Sequence, residues 1–319
     1  MAALAGTQMQ IKQRSKVGRF FSDQRKWMPY LFLAPFFVAF GVFQFYPLLR
    51  SVIMGFQESV GYTGTWDWVG MANYTEALTD PRLLTALKNF VLFGIGSLVT
   101  EVPVAIALAL MLSSTLLYQR GVFRTVFFVP SVLPGVLMGL VGVWFFSEAR
   151  GLANAIVTGL GGEKILWLNT PAYIMPILLT IAFWQWMGYH AVFFLAGMTG
   201  IDRGVIEASI IDGASTWQRT RYIILPLLKP VLAYVTITIA LGSLTTYDIP
   251  AVIFSITGGA GMGGPGAQGW FFLPYITDRA FNQFRMGYAT SIGWLVFIIA
   301  VAITILQLKI YKFGRAEEE

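Results

Sequence analysis

Three apolar stretches of this 319-residue chain contain polar side chains together with aromatic ones. Polar groups within a membrane span are costly in hydrocarbon, so they usually face a cavity or a partner helix. Aromatic faces can pack against C–H groups, and hydroxyl, imidazole and carboxylate groups can hydrogen-bond a polyhydroxyl solute. We therefore predict that these side chains line a substrate pathway. They are Glu101 in the first stretch, Trp186, Tyr189 and His190 in the second, and Thr246, Tyr247 and Asp248 in the third.

Other roles for these side chains stay open at this stage. Glu101 and His190 can be satisfied by polar groups of neighbouring helices, and Trp186, with Trp184, can anchor its helix at the membrane interface or face lipid. Asp248 can face water in an outer vestibule. The rotation of each helix decides between these roles, and one sequence does not reveal it.

The residue inventory excludes several kinds of chemistry. The chain has no cysteine and a single histidine, so it has no disulfides, no thiolate catalysis and no multi-histidine metal site. No nucleophile, base and metal-ligating residue converge in the sequence. We therefore predict that the chain is not an enzyme and binds no metal or cofactor itself.

Composition places the chain in a membrane. Hydrophobic residues make up 56% and charged residues 12%, and the mean hydropathy is +0.66. Six stretches are long enough to cross a bilayer, which predicts an all-α integral membrane protein. Their approximate bounds are 27–49, 89–112, 125–146, 171–198, 230–254 and 286–307.

Local signals predict where several helices begin or bend. Asn73 with Glu76 three residues later resembles a capping box, and Asp80 precedes a proline at a first helical position. Thr170 before Pro171 gives a similar start for the fourth span. Pro130 and Pro134 predict a kink near the start of the third span.

The distribution of positive charge predicts the orientation. Roughly two thirds of the 22 Lys and Arg residues lie on the side of the N-terminus if six spans are counted. Both termini are therefore expected in the cytoplasm, which explains the basic pI without a nucleic-acid partner. The chain divides into a basic tail over 1–26, a six-helix domain over 27–313 and a tail over 314–319.

The loop over about 199–229 contains the longest moderately polar passage between two spans, and its acidic, small, basic and apolar residues alternate regularly. Ile206, Ile210 and Ala214 recur every four residues, which predicts a short amphipathic helix. Gly213 then allows a sharp bend, and Ser215 is placed to cap a second helix. A bent, half-polar element of this kind suits docking onto another protein.

The same loop carries a resemblance to a known family. Glu207-Ala208-Ser209, then Gly213, then Ile223 followed by Leu225-Pro226 are similar to the EAA loop of ABC importer permeases, with Ser209 where the family usually has a second alanine. Further short segments similar to the family extend the resemblance over about 28–313. The pattern resembles that of the carbohydrate-uptake, maltose-type importers, and in particular the first of their two permeases. These segments lie at 68–74, 80–81, 86–89, 120–130, 151–154, 167–168 and 256–259, with Ala260 in place of a usual proline.

The resemblance implies a type I ABC importer architecture in the bacterial inner membrane. It implies a second permease, two ATPase copies that bind ATP and Mg²⁺, an extracytoplasmic solute-binding protein and a carbohydrate substrate. In that family the loop forms a coupling helix seated on the ATPase. The residues that this assigns to ATPase coupling are Glu207, Ala208, Ser209, Asp212, Gly213, Ala214, Leu225 and Pro226.

A different class of transporter remains an alternative at the level of sequence. Glu101, His190 and Asp248 could form the proton or sodium relay of a transporter driven by an ion gradient. No inverted repeat supports that reading. It predicts transport by this chain alone, whereas an importer permease requires its partners.

Overall fold

A computed structural model of the chain describes residues 24–59, 64–114, 117–257 and 263–311. Most of the basic tail predicted over 1–26 and all of the tail over 314–319 lie outside these ranges. The chain forms two compact units, one ending at Ile53 and the other beginning at Met54.

The first unit is built from helices that contain no charged residue over 27–49. Helix α1 (Gln24–Phe40) passes through a π-helical turn at Gly41–Phe45 into helix α2 (Tyr46–Met54). The apolar segment Trp27–Met54 has 28 residues, which is about 42 Å of helix. This exceeds the roughly 30 Å of a bilayer core, and the helix continues past the predicted end of the first span.

A small polar region opens the second unit. Strands β1 (Gln57–Ser59) and β2 (Trp66–Trp68) pair antiparallel, and helix α3 (Ala72–Thr79) follows. The capping box predicted at Asn73 is wrong, because α3 has Met71 at its N-cap position and no capping side chain. Asn73 is instead buried, and its amide donates to the carbonyls of Gly55 and Gln57 at 3.2 and 2.9 Å.

Two long helices form the central pair. Helix α4 (Pro81–Ser113) starts as predicted, since the Asp80 carboxylate accepts from the Arg82 N–H at 2.8 Å. Helix α8 (Pro171–Thr199) also begins at its proline, with Thr170 at the N-cap position as predicted, although the Thr170 side chain makes no capping hydrogen bond. Small and aromatic residues pack between them, including Ala105, Ala109, Ala191 and Phe194.

The third span is broken rather than kinked. Helix α5 (Arg120–Val132) and helix α6 (Gly135–Phe145) meet at an angle of 97°. Leu133 is extended, the conformation that a residue before proline prefers, so the helix stops instead of bending. Helix α7 (Leu152–Gly159) follows.

The fifth span is also interrupted. Helix α12 (Lys229–Leu244) ends before Thr245, and helix α13 (Asp248–Thr257) begins three residues later. Asp248 is therefore the first residue of a helix, where the sequence predicts a position within a continuous one. Helices α9 (Arg203–Ile211), α10 (Thr216–Arg219), a π-helical turn at Thr220–Ile224 and α11 (Leu225–Leu227) lie before this span.

The last span packs against a short preceding helix. A 3₁₀ turn (Pro265–Ala267), helix α14 (Phe272–Thr277) and a π-helical turn (Asp278–Asn282) lead into helix α15 (Met286–Ile310). Tyr275 and Tyr288 are fully buried and both donate to the Asp80 carboxylate, the Tyr288 bond measuring 2.6 Å. These bonds fix α14 and α15 to the start of α4.

Within the described ranges, five helices are long and apolar enough to cross a membrane. The bent α5–α6 pair gives a sixth span if it crosses as one. The structure is therefore mostly helical, as predicted, and the third and fifth predicted spans differ from continuous helices.

Candidate functional site

The polar side chains predicted to line a pathway surround one cavity of about 550 Å³. Helices α4, α8, α12 and α13 form its walls, together with Gly135 at the start of α6. All seven predicted residues contribute to the lining, although they come from three separate stretches of the chain. They are Glu101, Trp186, Tyr189, His190, Thr246, Tyr247 and Asp248.

One face of α8 supplies an aromatic wall. Positions 186, 189 and 190 lie within about one helical turn, so their side chains point to the same side. The rings of Trp186 and Tyr189 meet edge to face with centroids 5.5 Å apart, and Trp186 stacks on His190 at 6.4 Å. Trp186 is 38% exposed, which leaves ring surface free to contact a solute.

Glu101 and His190 form a close pair at this wall. Glu101 Oε2 lies 3.1 Å from His190 Nδ1, and both side chains are at most 5% exposed. The two atoms are close enough for an ion pair when His190 carries a proton on both nitrogens, but they lack the alignment of a hydrogen bond. A lone buried charge would be costly, so the pairing lowers the cost of placing either group here. The two roles that the sequence left open for these residues, contact with a neighbouring helix and contact with the cavity, are both realised.

The two helix breaks meet at the cavity. A Cβ added to Gly135, the first residue of α6, would lie 2.6 Å from the Asp248 carboxylate, so only glycine fits there. Asp248 thus lies at the start of its own helix α13 and against the start of α6. Both helix N-termini carry positive partial charge, which favours an anionic group at this position.

Gln185 supports the break from the side of α8. Its amide Nε2 donates to the Leu133 carbonyl at 3.1 Å, and Leu133 is the residue at which the third span stops. A carbonyl freed by the helix end is thereby satisfied in an apolar setting. Gln185 also lines the cavity; its role in holding the break depends on a contact 52 residues away in sequence, which local patterns do not show.

Hydroxyl groups complete the lining on the side of α12 and α13. Thr246 donates to the Gly242 carbonyl at 3.0 Å, and Ser243 donates to the Ile239 carbonyl at 2.8 Å. Each hydroxyl oxygen keeps lone pairs that can accept from a solute. The cavity therefore combines ring faces with acceptors, and its charged groups are two carboxylates and one imidazole.

The loop between α8 and α12 forms the predicted bent element. Helix α9 is capped by Asp202, which accepts from the Gly204 N–H at 2.8 Å. Gly213 has a φ of +75°, a conformation that other residues adopt only with strain. Ser215 and Gln218 form a reciprocal capping box for α10. The predicted bend and second cap are confirmed, but α9 ends at Ile211, so Ala214 does not lie on its face as expected.

The loop exposes both polar and large apolar side chains. Glu207, Ala208, Asp212, Gly213 and Pro226 are exposed, Ala214 and Leu225 are partly buried, and Ser209 is buried, with its hydroxyl donating to the Ile206 carbonyl at 2.6 Å. The site predicted from sequence missed Ile211, Trp217 and Tyr222, which are 85%, 72% and 72% exposed. An apolar residue two positions before the glycine bend was the signal that could have found Ile211.

The fold and the cavity together define a multi-span helical membrane protein with a polar site between broken helices. Residues 101–312 match the family of binding-protein-dependent transport system inner membrane components, and the chain belongs to that family. Helix breaks that border a central cavity recur in transporters.

Named relatives of the chain cover nearly its full length. It is 32% identical to the arabinooligosaccharides transport system permease protein AraP of Bacillus subtilis (strain 168), over 90% of this chain and 89% of that one. It is 31% identical to the lactose transport system permease protein LacF of Rhizobium radiobacter, over 94% and 97% of the two chains. The trehalose/maltose transport system permease protein MalF of Thermococcus litoralis is 29% identical, over 90% and 94%.

A solved structure shares the fold. A chain of a bacterial ABC transporter involved in the import of the acidic polysaccharide alginate superposes with a TM-score of 0.79. The match covers 93% of this chain and 99% of that chain, at 22% identity. At this identity the likeness establishes the architecture of an ABC importer permease and nothing about the solute.

Proposed function

We propose that this chain is a permease subunit of an ATP-driven sugar importer and forms half of its translocation pathway. The observation that carries the proposal is the cavity bounded by the two broken spans, in a chain whose family is binding-protein-dependent. Relatives named for arabinooligosaccharides, lactose and trehalose/maltose support a sugar as the solute. Ring faces beside hydroxyl and carboxylate acceptors are the groups that such a solute requires.

The complete importer contains further subunits. We expect a second permease that supplies the other half of the pathway, two ATPase subunits that bind ATP and Mg²⁺, and an extracytoplasmic solute-binding protein. This chain lies in the bacterial inner membrane, with six spans and both termini in the cytoplasm. Family membership favours this arrangement over the alternative of an ion-gradient transporter that works alone.

The bent loop couples the pathway to the ATPase. Helix α9 with its exposed Glu207 contacts the ATPase, and the apolar side chains of Ile211 and Trp217 enter the contact. Large exposed apolar groups beside a charged residue are common at protein interfaces. ATP binding moves the loop, and the loaded binding protein biases the opposite face, so that both shift a two-state permease.

Replacement of Trp186 by alanine tests the pathway. Loss of the ring removes the stacking surface, and we expect the initial rate of sugar uptake to fall about fivefold to tenfold. Uptake is measured in proteoliposomes that contain the full complex and its binding protein, with radiolabelled sugar. Asp248→Ala, which removes an acceptor of the same cavity, should lower uptake in the same assay.

Trp144→Ala is the matched control. Trp144 lies on α6, is 61% exposed and is outside the cavity lining, so uptake should stay near that of the wild type. Complex assembly is compared by the recovery of all subunits after purification. Unchanged uptake in both Trp186→Ala and Asp248→Ala, with normal assembly, would refute the assignment of this cavity.

A further inference from the structure

The described residues of the cavity lining include acidic side chains but no strongly basic ones. Its lining contains the carboxylates of Glu101 and Asp248 and the imidazole of His190. No Lys or Arg is present among the described residues that line it. Any solute that enters this half of the pathway therefore meets negative charge and no fixed positive side chain.

The Glu101–His190 pair does not remove that asymmetry. With one proton shared by the two groups the pair is neutral, and without it the pair is negative. Asp248 lies apart from the pair, in the first turn of α13, and is exposed to the cavity. The carboxylate of Asp248 therefore leaves the lining negative in either state of the pair.

Asp248 also occupies the place where an anionic solute would bind. The N-terminus of a broken helix attracts anions through its unpaired N–H groups and its dipole. Here α6 begins at Gly135 and α13 begins at Asp248, and the Asp248 carboxylate packs against Gly135 closely enough to exclude a Cβ. The protein's own carboxylate thus fills the position that a sugar acid would need.

We infer that this cavity accepts neutral saccharides and rejects acidic ones, and that Asp248 is the residue that determines this specificity. The inference rests on the proposed function, because it concerns the solute of the same pathway. Repulsion between like charges within the cavity is the physical cause.

Direct binding to the permease–ATPase complex in lipid nanodiscs tests the inference, because the binding protein and its own selectivity are then absent. The probes are radiolabelled maltose, lactose and arabinotriose, each paired with its C1-oxidised aldonate, which adds a carboxylate. In the wild type we expect the neutral member of a pair to bind at least tenfold more tightly. Asp248→Asn should raise the affinity for the aldonate of that pair about tenfold.

Two variants separate charge from structure. Thr246→Val removes a cavity hydroxyl without a change of charge and should weaken both members of a pair alike. Glu148→Gln removes an exposed carboxylate outside the lining and should leave the ratio unchanged. A gain of aldonate binding confined to Asp248→Asn supports the inference, since a merely structural role would reduce both affinities.

Three results would overturn it. The aldonate binds the wild type as tightly as the neutral sugar, or Asp248→Asn alters both affinities equally, or no probe binds the nanodisc complex although the full system imports one of the neutral sugars. All three leave the proposed function intact. Failure of the full system, with binding protein and ATP, to import any sugar would instead contradict the proposed function.

Discussion

Single residues show how strongly this chain uses buried polar contacts to connect distant segments. Asp80 caps α4 and also accepts from Tyr275 and Tyr288, which lie 195 and 208 residues further along. Arg279 approaches the same carboxylate at 3.4 Å. Burial raises the pKa of Tyr275 to about 12, with a further contribution from the hydrogen bond to Asp80. Tyr275 therefore remains a donor at physiological pH.

The Asp80 carboxyl is expected to stabilise the fold in a pH-dependent way. Burial raises its pKa, but the hydrogen bonds from Tyr275, Tyr288 and the Arg82 N–H, with the charge of Arg279, outweigh burial and hold the pKa below its ordinary value of 3.8. A lowered pKa in the folded state stabilises the protein above that ordinary value, and the contribution is lost as the pH falls through the folded pKa.

Replacement of Asp80 by asparagine should therefore destabilise the chain mainly near neutral pH. We expect a loss of about 1–3 kcal/mol at about pH 7, since buried tyrosine hydroxyls lose a charged acceptor. The loss should shrink toward about pH 3. Thermal unfolding of the purified complex at both pH values measures it. Asp67→Asn, on the exposed strand β2, is the control, and a loss that is equal at both pH values would contradict the explanation.

At the scale of elements, the bend at Gly213 joins two helices whose ends are fixed by Asp202 and by the Ser215–Gln218 box. Around Gly213 there is open space, since nothing lies within 4 Å of an added Cβ. Its positive φ is therefore the reason that glycine is needed. Because the rest of the loop is locally capped, a change at Gly213 alters the angle between α9 and α10 more than their helicity.

Gly213→Val should uncouple ATP hydrolysis from transport. A β-branched residue at a φ of +75° costs on the order of 1–3 kcal/mol, so the bend relaxes and the loop no longer fits its partner. We expect the stimulation of ATPase activity by loaded binding protein to fall at least tenfold. Glu207→Lys, which reverses an exposed charge, should act in the same direction.

The control for this bend is Gly121→Val. Gly121 lies in α5, also has open space around it and has no positive φ, so stimulation should be retained. ATPase activity is measured with and without sugar-loaded binding protein in proteoliposomes. Full stimulation and full uptake by Gly213→Val would show that the bend is not the coupling element.

At the scale of the whole molecule, each unit leaves a large apolar surface that it does not cover itself. The first unit buries no residue in the most apolar window of Trp27–Met54, and the second unit buries only 17% of the corresponding window of α15. Lipid covers part of such a surface, and partner helices cover the rest. A chain of this kind is expected to function as one part of a larger assembly.

Purification of the tagged chain in mild detergent should recover two further proteins. One is a second permease of similar hydropathy, and the other is an ATPase identified by a phosphate-binding G-x-x-x-x-G-K-[ST] motif in mass spectrometry. Recovery in stable proportion after size-exclusion chromatography is the expected result. A chain that purifies alone and still transports sugar in liposomes would favour the ion-gradient alternative.

Much of the architecture was fixed by local sequence. Five of the apolar stretches form continuous or nearly continuous candidate spans. They could be predicted because polar groups are costly in hydrocarbon, so a spanning helix is visible as a long apolar stretch of sequence. The helix start at Asp80, the bend at Gly213 and the cap at Ser215 were predictable because each depends on a few neighbouring residues. The amino-acid sequence also carried the family resemblance, through particular residue types at fixed spacing in the loop over about 199–229.

Tertiary structure alone decided how the polar groups meet. Glu101 and His190 are 89 positions apart, and Asp248 comes to lie against Gly135 only because the breaks of two spans meet at one cavity. A sequence pattern gives the period of a helix but neither its rotation nor the partner that satisfies it, because both depend on packing between distant segments. For the same reason Asn73, predicted to cap a helix, is buried against the backbone of residues 55 and 57.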